Sequence, residues 1–271
     1  MIDLLADFPF APLATGFGLC LLISALGFLR VDWFISIGYG FSIAALALLF
    51  AVWFGASLTP ISILQLLLLL AYGLRLAGYL VLRERAQSFS RELTASRERS
   101  RGVVGPAKFA IWISVSLLYV AMASPAAFAL ASGATGLFPV LGVIVMALGL
   151  VLELSADAQK SAAKAKNPDA FVSTGLFAMV RYPNYLGEMI FWLGNFICAL
   201  SVYTSLAAWL VALVGLVCIE LIMLGSARRL EIKQGERYGT REDYRAYVRR
   251  VPILFPFVPL RSLRNLKIYL G

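Results

Sequence analysis

The sequence contains no histidine, so it lacks the commonest metal ligand and the usual general base of enzymes. Any proton that the protein donates or accepts must therefore pass through tyrosine, an acid, lysine or water. The three cysteines, Cys20, Cys198 and Cys218, form no CxxC pair, and each lies in an apolar stretch. Neither a disulfide framework nor a metal site is indicated, and packing is the expected role of these thiols.

Charged residues are also scarce, at 14% of the chain, whereas hydrophobic residues make up 61% and the mean hydropathy is +0.83. This composition predicts an all-α integral membrane protein with a single domain over residues 1–271. Apolar stretches approach or exceed the roughly 20 residues that a helix needs to cross a bilayer. Seven spans are predicted, near residues 12–29, 33–54, 61–82, 107–131, 136–156, 184–200 and 203–226, followed by a tail at 227–271.

The basic residues predict how these spans are oriented. Apart from Arg30, every Lys and Arg outside the spans lies in 83–108, 160–181 or 228–267. By the positive-inside rule these segments face the cytoplasm, the N-terminus faces outward and the C-terminus is cytoplasmic. We expect an integral membrane location, with membrane lipids as partners, no nucleic-acid partner and an oligomeric state that the sequence leaves open.

Few ionisable groups lie inside the predicted spans, and all of them fall toward the cytoplasmic leaflet. Leaving aside Lys108, which belongs to the basic segment 83–108, they are Arg75, Glu153, Glu188 and Glu220. Such groups are costly in a membrane and are typical of functional sites. They indicate a polar cavity that opens to the cytoplasm, although pairing of Arg75 with Glu153 or Glu220 as an interhelical contact is the alternative.

The third span places Tyr72, Arg75 and Tyr79 at i, i+3 and i+7, which is one face of a helix. These side chains fit the lining of a site. A phenol can polarise a carbonyl oxygen and supply a proton, so the face could carry acid catalysis. An interfacial or interhelical tyrosine is the competing interpretation.

The segment 175–188 brings polar groups to the start of the sixth span. Pro183 suits the first turn of a helix, whose free N–H groups can bind an anion. The forked donors of Arg181 suit a phosphate, unless this arginine is an interfacial anchor. One face of the following helix carries Asn184, Glu188, Phe191 and Asn195. An amide that donates and accepts at once, such as Asn184, fits the carboxamide of a nicotinamide.

Two charged segments flank this one. Glu153, Asp157, Lys160 and Lys164 follow one another at helical spacing and predict that the fifth helix continues into the cytoplasm. This stripe is either solvated or turned toward a ligand. In the tail, alternating Arg and Tyr residues could clasp a dinucleotide or lie on the membrane surface.

These motifs resemble a known family. Gly175-Leu-Phe, Arg181, Pro183-Asn184-Tyr185 and Gly187-Glu188 look like the signature of membrane-bound steroid 5-alpha-reductase-like proteins, specifically their bacterial DUF1295-type branch. The tail is similar to the ending of that superfamily at Arg228-Arg229-Leu-Glu231, Glu236-Arg237-Tyr238-Gly239, Asp243-Tyr244, Tyr247 and Val251-Pro252-Ile-Leu-Phe-Pro256. The resemblance implies a polytopic reductase that uses NADPH to saturate a conjugated double bond in a lipophilic substrate from the bilayer.

The resemblance also implies residue roles. Tyr72 would donate to the substrate carbonyl, and Asp32, which is equally explained as a helix cap, is the nearest acid. The family pairs that tyrosine with a Gln-Glu sequence that this chain lacks, and it usually has His where Tyr182 stands. The implied cofactor contacts are Arg75, Tyr79, Arg83, Asp157, Lys160, Arg181, Asn184, Tyr185, Glu188, Arg228, Glu231, Tyr244 and Tyr247.

Two other classes compete with the reductase. Isoprenylcysteine carboxyl methyltransferases share the C-terminal pattern and bind S-adenosylmethionine, whereas the Asn-Tyr-x-Gly-Glu form at 184–188 favours reductases. A transporter would use intramembrane acids as a proton path, but no inverted repeat is evident. Gly38-Tyr-Gly40 has no third glycine at the required spacing and is no Rossmann fingerprint.

Overall fold

The computed structural model describes residues 8–85 and 102–267, with side chains outside that description at 83–85. Within these ranges every regular element is a helix, which confirms the predicted all-α class. In hydrocarbon a helix satisfies its own backbone polar groups, so long apolar stretches fold this way. The α-helices are α1 Phe10–Ser24, α2 Ile37–Trp53, α3 Pro60–Arg85, α4 Gly105–Ala131, α5 Leu137–Lys166, α6 Pro183–Cys198, α7 Leu206–Tyr238 and α8 Glu242–Arg250.

Six segments of the described chain are long and apolar enough to cross a membrane. They are Phe10–Phe28, Val31–Trp53, Pro60–Leu82, Gly105–Ala131, Leu137–Lys166 and Leu206–Tyr238. The first two include short 3-10 helices, Ala25–Phe28 and Val31–Phe34, that extend the apolar stretch. These six correspond to six of the predicted spans, and the protein is an integral membrane protein by this criterion.

The predicted span at 184–200 is not confirmed. Its helix, α6, has 16 residues and is not among the six. At about 1.5 Å per residue it is roughly 24 Å long, shorter than the ~30 Å hydrocarbon layer. The seven-span count and the orientation of the termini, which depends on that count, stay predictions.

The two helices that flank the signature are longer than the apolar spans predicted for them. Helix α5 continues to Lys166, so the charged stripe is helical as expected. Helix α7 continues past Arg228 to Tyr238. Both helices therefore carry charged side chains beyond their apolar parts, in the neighbourhood of the signature.

The turn between α4 and α5 shows why the chain reverses there. The N–H of Ala134 donates to the carbonyl of Ala129 at 2.8 Å, and Gly133 adopts a φ of 57°. A left-handed glycine just past the last helical residue lets the final carbonyls of α4 find partners. The residues of this turn are therefore sufficient to end α4.

The chain divides into two compact units. The first unit comprises residues 1–143 and 195–216, and the second comprises 144–194 and 217–271. Helices α5, α6 and α7 contribute residues to both units. The prediction of one membrane domain over the whole chain stays a prediction.

Two glycines set the packing of α2 on α3 in the first unit. A Cβ on Gly40 would lie 2.8 Å from the carbonyl oxygen of Gly73, and one on Gly73 would lie 2.5 Å from that of Gly40. Small residues at a helix contact let the backbones approach closely. The tyrosines that precede them, Tyr39 and Tyr72, are brought together as a result.

A second glycine pair joins α5 to α6 in the second unit. A Cβ on Gly149 would lie 2.6 Å from the carbonyl oxygen of Gly187, and one on Gly187 would lie 2.7 Å from the backbone nitrogen of Glu153. Gly187 belongs to the signature, and its place in this contact gives it a packing role. The contact also positions Glu188, the next residue of the signature.

Candidate functional site

The signature of the second unit begins with a glycine that no other residue could replace without strain. Gly175 has a φ of 60°, and a Cβ there would lie 2.3 Å from Oε1 of Gln159. That oxygen accepts a 2.9 Å hydrogen bond from the N–H of Leu176. Gln159, which belongs to no motif of the sequence analysis, therefore fixes the start of the signature to α5.

We expect Gly175→Ala to destabilise this segment. The left-handed conformation costs a non-glycine residue roughly 1–2 kcal/mol, and displacing Gln159 would weaken a hydrogen bond worth about 1 kcal/mol. Thermal unfolding of the detergent-purified protein measures the loss. Gly55→Ala is the matched control, because no atom lies within 4 Å of its added Cβ and its φ is not positive. Equal melting temperatures for the two variants would contradict the prediction.

The C-terminal segment pairs with the backbone of the signature. The N–H of Arg181 donates to the carbonyl of Pro252 at 3.0 Å, and that of Tyr182 donates to Ile253 at 3.2 Å. The N–H of Ile253 in turn donates to Leu260 at 2.9 Å, which closes a loop. The two segments that resemble the reductases, far apart in sequence, therefore form one structure.

Arg181 is the buried charge at the centre of this structure, with 2% of its surface exposed. Its Nη2 donates to the carbonyl of Arg261 and lies 3.6 Å from Oε1 of Glu231. Its Nε and Nη1 are buried and have no hydrogen-bond partner among the described residues. Buried polar groups normally find partners, so these two donors are available to an anionic ligand.

Glu231 on α7 contacts both Arg181 and the tail. Its carboxylate is 3% exposed, and Oε2 accepts a 2.8 Å hydrogen bond from the N–H of Leu263. Nε of Arg264 lies 3.9 Å from Oε1. The carboxylate is an acceptor and would repel a phosphate, so this geometry gives Glu231 the role of a counterion that holds Arg181 in place.

The tail tyrosines form an aromatic cluster. Tyr244 and Tyr247, 4% and 6% exposed, pack with Tyr238 against Phe171, at ring-centroid distances of 5.1 to 5.8 Å from that ring. The hydroxyl of Tyr247 donates to the carbonyl of Phe177 at 2.8 Å. Burial raises the pKa of Tyr244 and of Tyr247, and the neighbouring Arg181 guanidinium only partly offsets this rise in pKa. Both residues thus have a structural role, and their contact with a cofactor stays a prediction.

Tyr182 occupies the position where the resembling family usually has His. It is 1% exposed, and its hydroxyl donates to Oε1 of Gln234 at 3.3 Å. Burial raises the pKa of Tyr182, and the neighbouring Arg181 partly offsets this rise in pKa. The phenol is therefore neutral near pH 7 and keeps the signature attached to α7.

The other predicted cofactor contacts of the second unit differ in exposure. Glu188 is 7% exposed. The half-buried ones are Asp157, Lys160, Asn184, Tyr185 and Arg228. Nε of Arg228 donates to the carbonyl of Arg264 at 3.3 Å, so this arginine also holds the tail. Asn184 lies in the first turn of α6, three residues after Arg181.

In the first unit, Tyr72 is paired with a residue that sequence reasoning missed. Tyr72 is fully buried, and its hydroxyl lies 2.8 Å from that of Tyr39, with either one able to donate. The ring of Tyr39 stacks on Tyr119 at 5.2 Å. The available signal was the Tyr-Gly pair, which occurs in both α2 and α3 and places each tyrosine beside the close glycine contact.

The acid predicted to assist Tyr72 is held locally. Asp32 lies in the 3-10 helix Val31–Phe34, and its Oδ2 forms a 2.5 Å ion pair with Arg30. Of the other residues predicted near Tyr72, Arg75 and Tyr79 are half-buried, and the side chain of Arg83 lies outside the described residues. The role of Asp32 as a proton donor stays a prediction, although the ion pair accounts for its presence.

Asn195, predicted on the same helical face as Asn184, has a structural role in the first unit. Its Oδ1 accepts a 2.9 Å hydrogen bond from Gln65, and its Nδ2 donates to the carbonyl of Met122 at 2.9 Å. It therefore joins α6 to α3 and α4. No group of acids and cysteines in the described part of the chain is arranged to hold a metal ion.

Comparison with known proteins identifies a matching family but gives no activity. Residues 25–251 match the family model described as a protein of unknown function, DUF1295. The match includes the signature, Tyr39, Tyr72 and the aromatic cluster. No curated protein and no solved structure matches the chain.

Proposed function

The chain belongs to the DUF1295 family, which is associated with steroid 5-alpha-reductase-like proteins, and on this basis we propose that it is an NADPH-dependent membrane reductase. Its substrate would be a lipophilic steroid, isoprenoid or enone lipid that enters from the bilayer. The reaction would consume NADPH, a proton and a conjugated carbon–carbon double bond, and would yield NADP⁺ and the saturated compound. We place the protein, within this proposal, in the bacterial inner membrane with its cofactor site toward the cytoplasm.

The observation that carries the proposal is the buried guanidinium of Arg181. It has two donors, Nε and Nη1, without partners in the described chain, and its position is held by Glu231 and the tail. A fixed cation with free donors fits a phosphate group of a nucleotide. The N-terminus of α6, where the helix dipole favours an anion, begins two residues after Arg181, at Pro183. These features support binding of a dinucleotide by the second unit.

The first unit supports the chemistry at the substrate. NADPH, when bound, would supply the hydride to the β carbon of the double bond. Tyr72 would donate a hydrogen bond to the carbonyl oxygen, which stabilises the negative charge that develops there. Tyr39, whose hydroxyl lies 2.8 Å away, would donate to Tyr72 as its proton moves toward the substrate. In this proposal the two phenols would take the roles that the resembling family gives to a tyrosine and an acid.

Ligand-dependent stability tests the cofactor assignment. The detergent-purified protein is heated with NADPH, NADH or S-adenosylmethionine, because a ligand that binds only the native state raises its stability. A ligand at a concentration 100-fold above its Kd raises the free energy of unfolding by about 2.7 kcal/mol. We expect NADPH to stabilise the protein and Asn184→Ala to weaken this effect. Stabilisation by S-adenosylmethionine alone would support the methyltransferase class and would exclude our proposal.

Asn167→Ala is the matched control for Asn184→Ala. Asn167 is exposed, and its Oδ1 accepts hydrogen bonds from the N–H groups of Asp169 and Ala170 in a turn of the same unit. We expect this variant to respond to NADPH as the wild type does. If both variants bind NADPH with unchanged affinity, Asn184 is not a cofactor contact.

A further inference from the structure

The loop at residues 255–260 exposes apolar side chains at its tip. Phe257 is 95% exposed and Val258 is 48% exposed, with a proline on each side of the pair at Pro256 and Pro259. We call residues 256–259 the apolar tip. The hydrogen bond from the N–H of Ile253 to the carbonyl of Leu260 closes the loop, so the tip projects from a fixed base.

The surroundings of the apolar tip are cationic. Arg249, Arg250 and Arg261 are exposed on either side of the loop, and Arg264 and Lys267 follow. No Asp or Glu occurs in residues 251–267. An apolar tip with flanking cations complements the interface of a bilayer that carries anionic headgroups. A water-soluble partner would need acidic groups around an apolar pocket, which is a more particular requirement.

The tail lies close to the point where α7 leaves the hydrocarbon. Residues 206–227 carry one ionisable group, Glu220, and Arg228 is the first basic residue after them. This stretch is roughly 33 Å long at about 1.5 Å per residue, close to the ~30 Å hydrocarbon thickness. A membrane crossing over residues 206–227 would put Arg228 at headgroup level, and the Nε of Arg228 donates to the carbonyl of Arg264. The tail would then lie at the membrane interface.

The base of the loop is attached to the buried arginine of the signature. The N–H groups of Arg181 and Tyr182 donate to Pro252 and Ile253, and Nη2 of Arg181 donates to the carbonyl of Arg261. Both ends of the loop are therefore bonded to the signature. A force that positions the tip is transmitted to Arg181 through these three hydrogen bonds.

We propose that the apolar tip inserts into the interface of an anionic bilayer and thereby holds the C-terminal segment against Arg181. The proposal concerns a lipid surface and is independent of the cofactor or the reaction. Insertion buries Phe257 and Val258, while the flanking arginines contact lipid phosphates. The hydrogen bonds of the C-terminal segment to Arg181 and Tyr182 are then most stable in the membrane.

Spin labels measure the depth of the tip. Phe257→Cys and, as the control, Glu242→Cys are made in a variant in which Cys20, Cys198 and Cys218 are alanine, and each is labelled in nanodiscs of phosphatidylcholine mixed with phosphatidylglycerol. We expect the label at 257 to be relaxed by oxygen and shielded from a water-soluble nickel chelate, and the label at 242 to meet the chelate freely. Equal access of the chelate to both labels would overturn the insertion.

The lipid charge and the coupling are tested separately. With phosphatidylcholine alone, we expect the label at 257 to become more accessible to the chelate, since the flanking arginines lose their partners.

In the mixed nanodiscs, Phe257→Asp is expected to speed hydrogen exchange at the Arg181 and Tyr182 amides roughly tenfold, as about 1.4 kcal/mol of lost anchoring would. Ser262→Asp adds a charge without removing the tip, and it should leave the hydrogen exchange of these amides unchanged. Unchanged exchange in Phe257→Asp would refute the coupling, and a label indifferent to lipid charge would refute the role of the arginines.

Discussion

Replacing Glu231 by Ala is expected to lower the stability of the protein by about 3–5 kcal/mol, the usual cost of removing one partner of a buried ion pair. The variant would leave the guanidinium of Arg181 buried without its carboxylate at 3.6 Å. It would also remove the acceptor of the Leu263 N–H, at 2.8 Å. The tail would then lose the contacts of Leu263 and Arg264 with Glu231 of α7.

Thermal unfolding in detergent, followed by circular dichroism, measures this loss. Asp169→Ala is the matched control, because Asp169 pairs with Arg237 on the surface, where its side chain is 90% exposed. Exposed ion pairs contribute little, so the control should melt close to the wild type. The double variant Arg181→Met/Glu231→Leu should be more stable than Glu231→Ala, since it leaves no buried charge. Similar melting temperatures for Glu231→Ala and Asp169→Ala would contradict the ion-pair argument.

Tyr72→Phe is expected to reduce the proposed reductase activity by roughly 10²–10⁴-fold, the usual contribution of a positioned acid. The variant keeps the ring and removes only the hydroxyl that would polarise the substrate carbonyl. Because the hydroxyl acts on the charge that develops during the reaction, kcat should fall more than KM rises. Binding of NADPH should be unchanged.

The assay follows NADPH oxidation with an enone that the wild type reduces. Tyr39→Phe should give a smaller loss in kcat, because it removes one hydrogen bond to Tyr72 while the donor itself remains. Tyr203→Phe is the matched control, since this tyrosine is also buried in the first unit and donates to the carbonyl of Phe196 at 2.9 Å. Full activity in Tyr72→Phe would remove Tyr72 from the mechanism. Equal losses in Tyr39→Phe and Tyr203→Phe would assign Tyr39 a packing role.

The helical class and six spans could be predicted from the sequence because apolar length is a local property. A stretch such as 107–131 has only one conformation that satisfies its backbone in hydrocarbon, and α4 occupies 105–131. The sixth predicted span shows the limit of this argument. Helix α6 begins at Pro183 as expected, but it ends at Cys198 after 16 residues. It is therefore not among the six segments that are long and apolar enough to cross a membrane, and its crossing stays a prediction.

The sequence identified individual residues of the candidate site but not the contacts between them. Arg181 and Glu231 were both selected as cofactor contacts, but their pairing across 50 positions, counted from 181 to 231, follows only from the packing of α7 beside the signature. Gly187 was read as part of a binding signature, whereas the structure places it in the contact with Gly149 and Glu153. Helical periodicity placed Asn195 on the same helical face as Asn184, but only the structure showed that its partner is Gln65.

By itself, the sequence determined that this chain is an all-helical membrane protein with a polar segment at 175–188 and a basic, aromatic tail. Composition and apolar length suffice for this, because the bilayer admits so few backbone conformations. Only the tertiary structure decided which side chains meet: Tyr39 with Tyr72, Arg181 with Glu231, and the tail with the signature. These contacts depend on glycine-mediated helix approach and on hydrogen bonds between distant segments, which no local pattern of residues specifies.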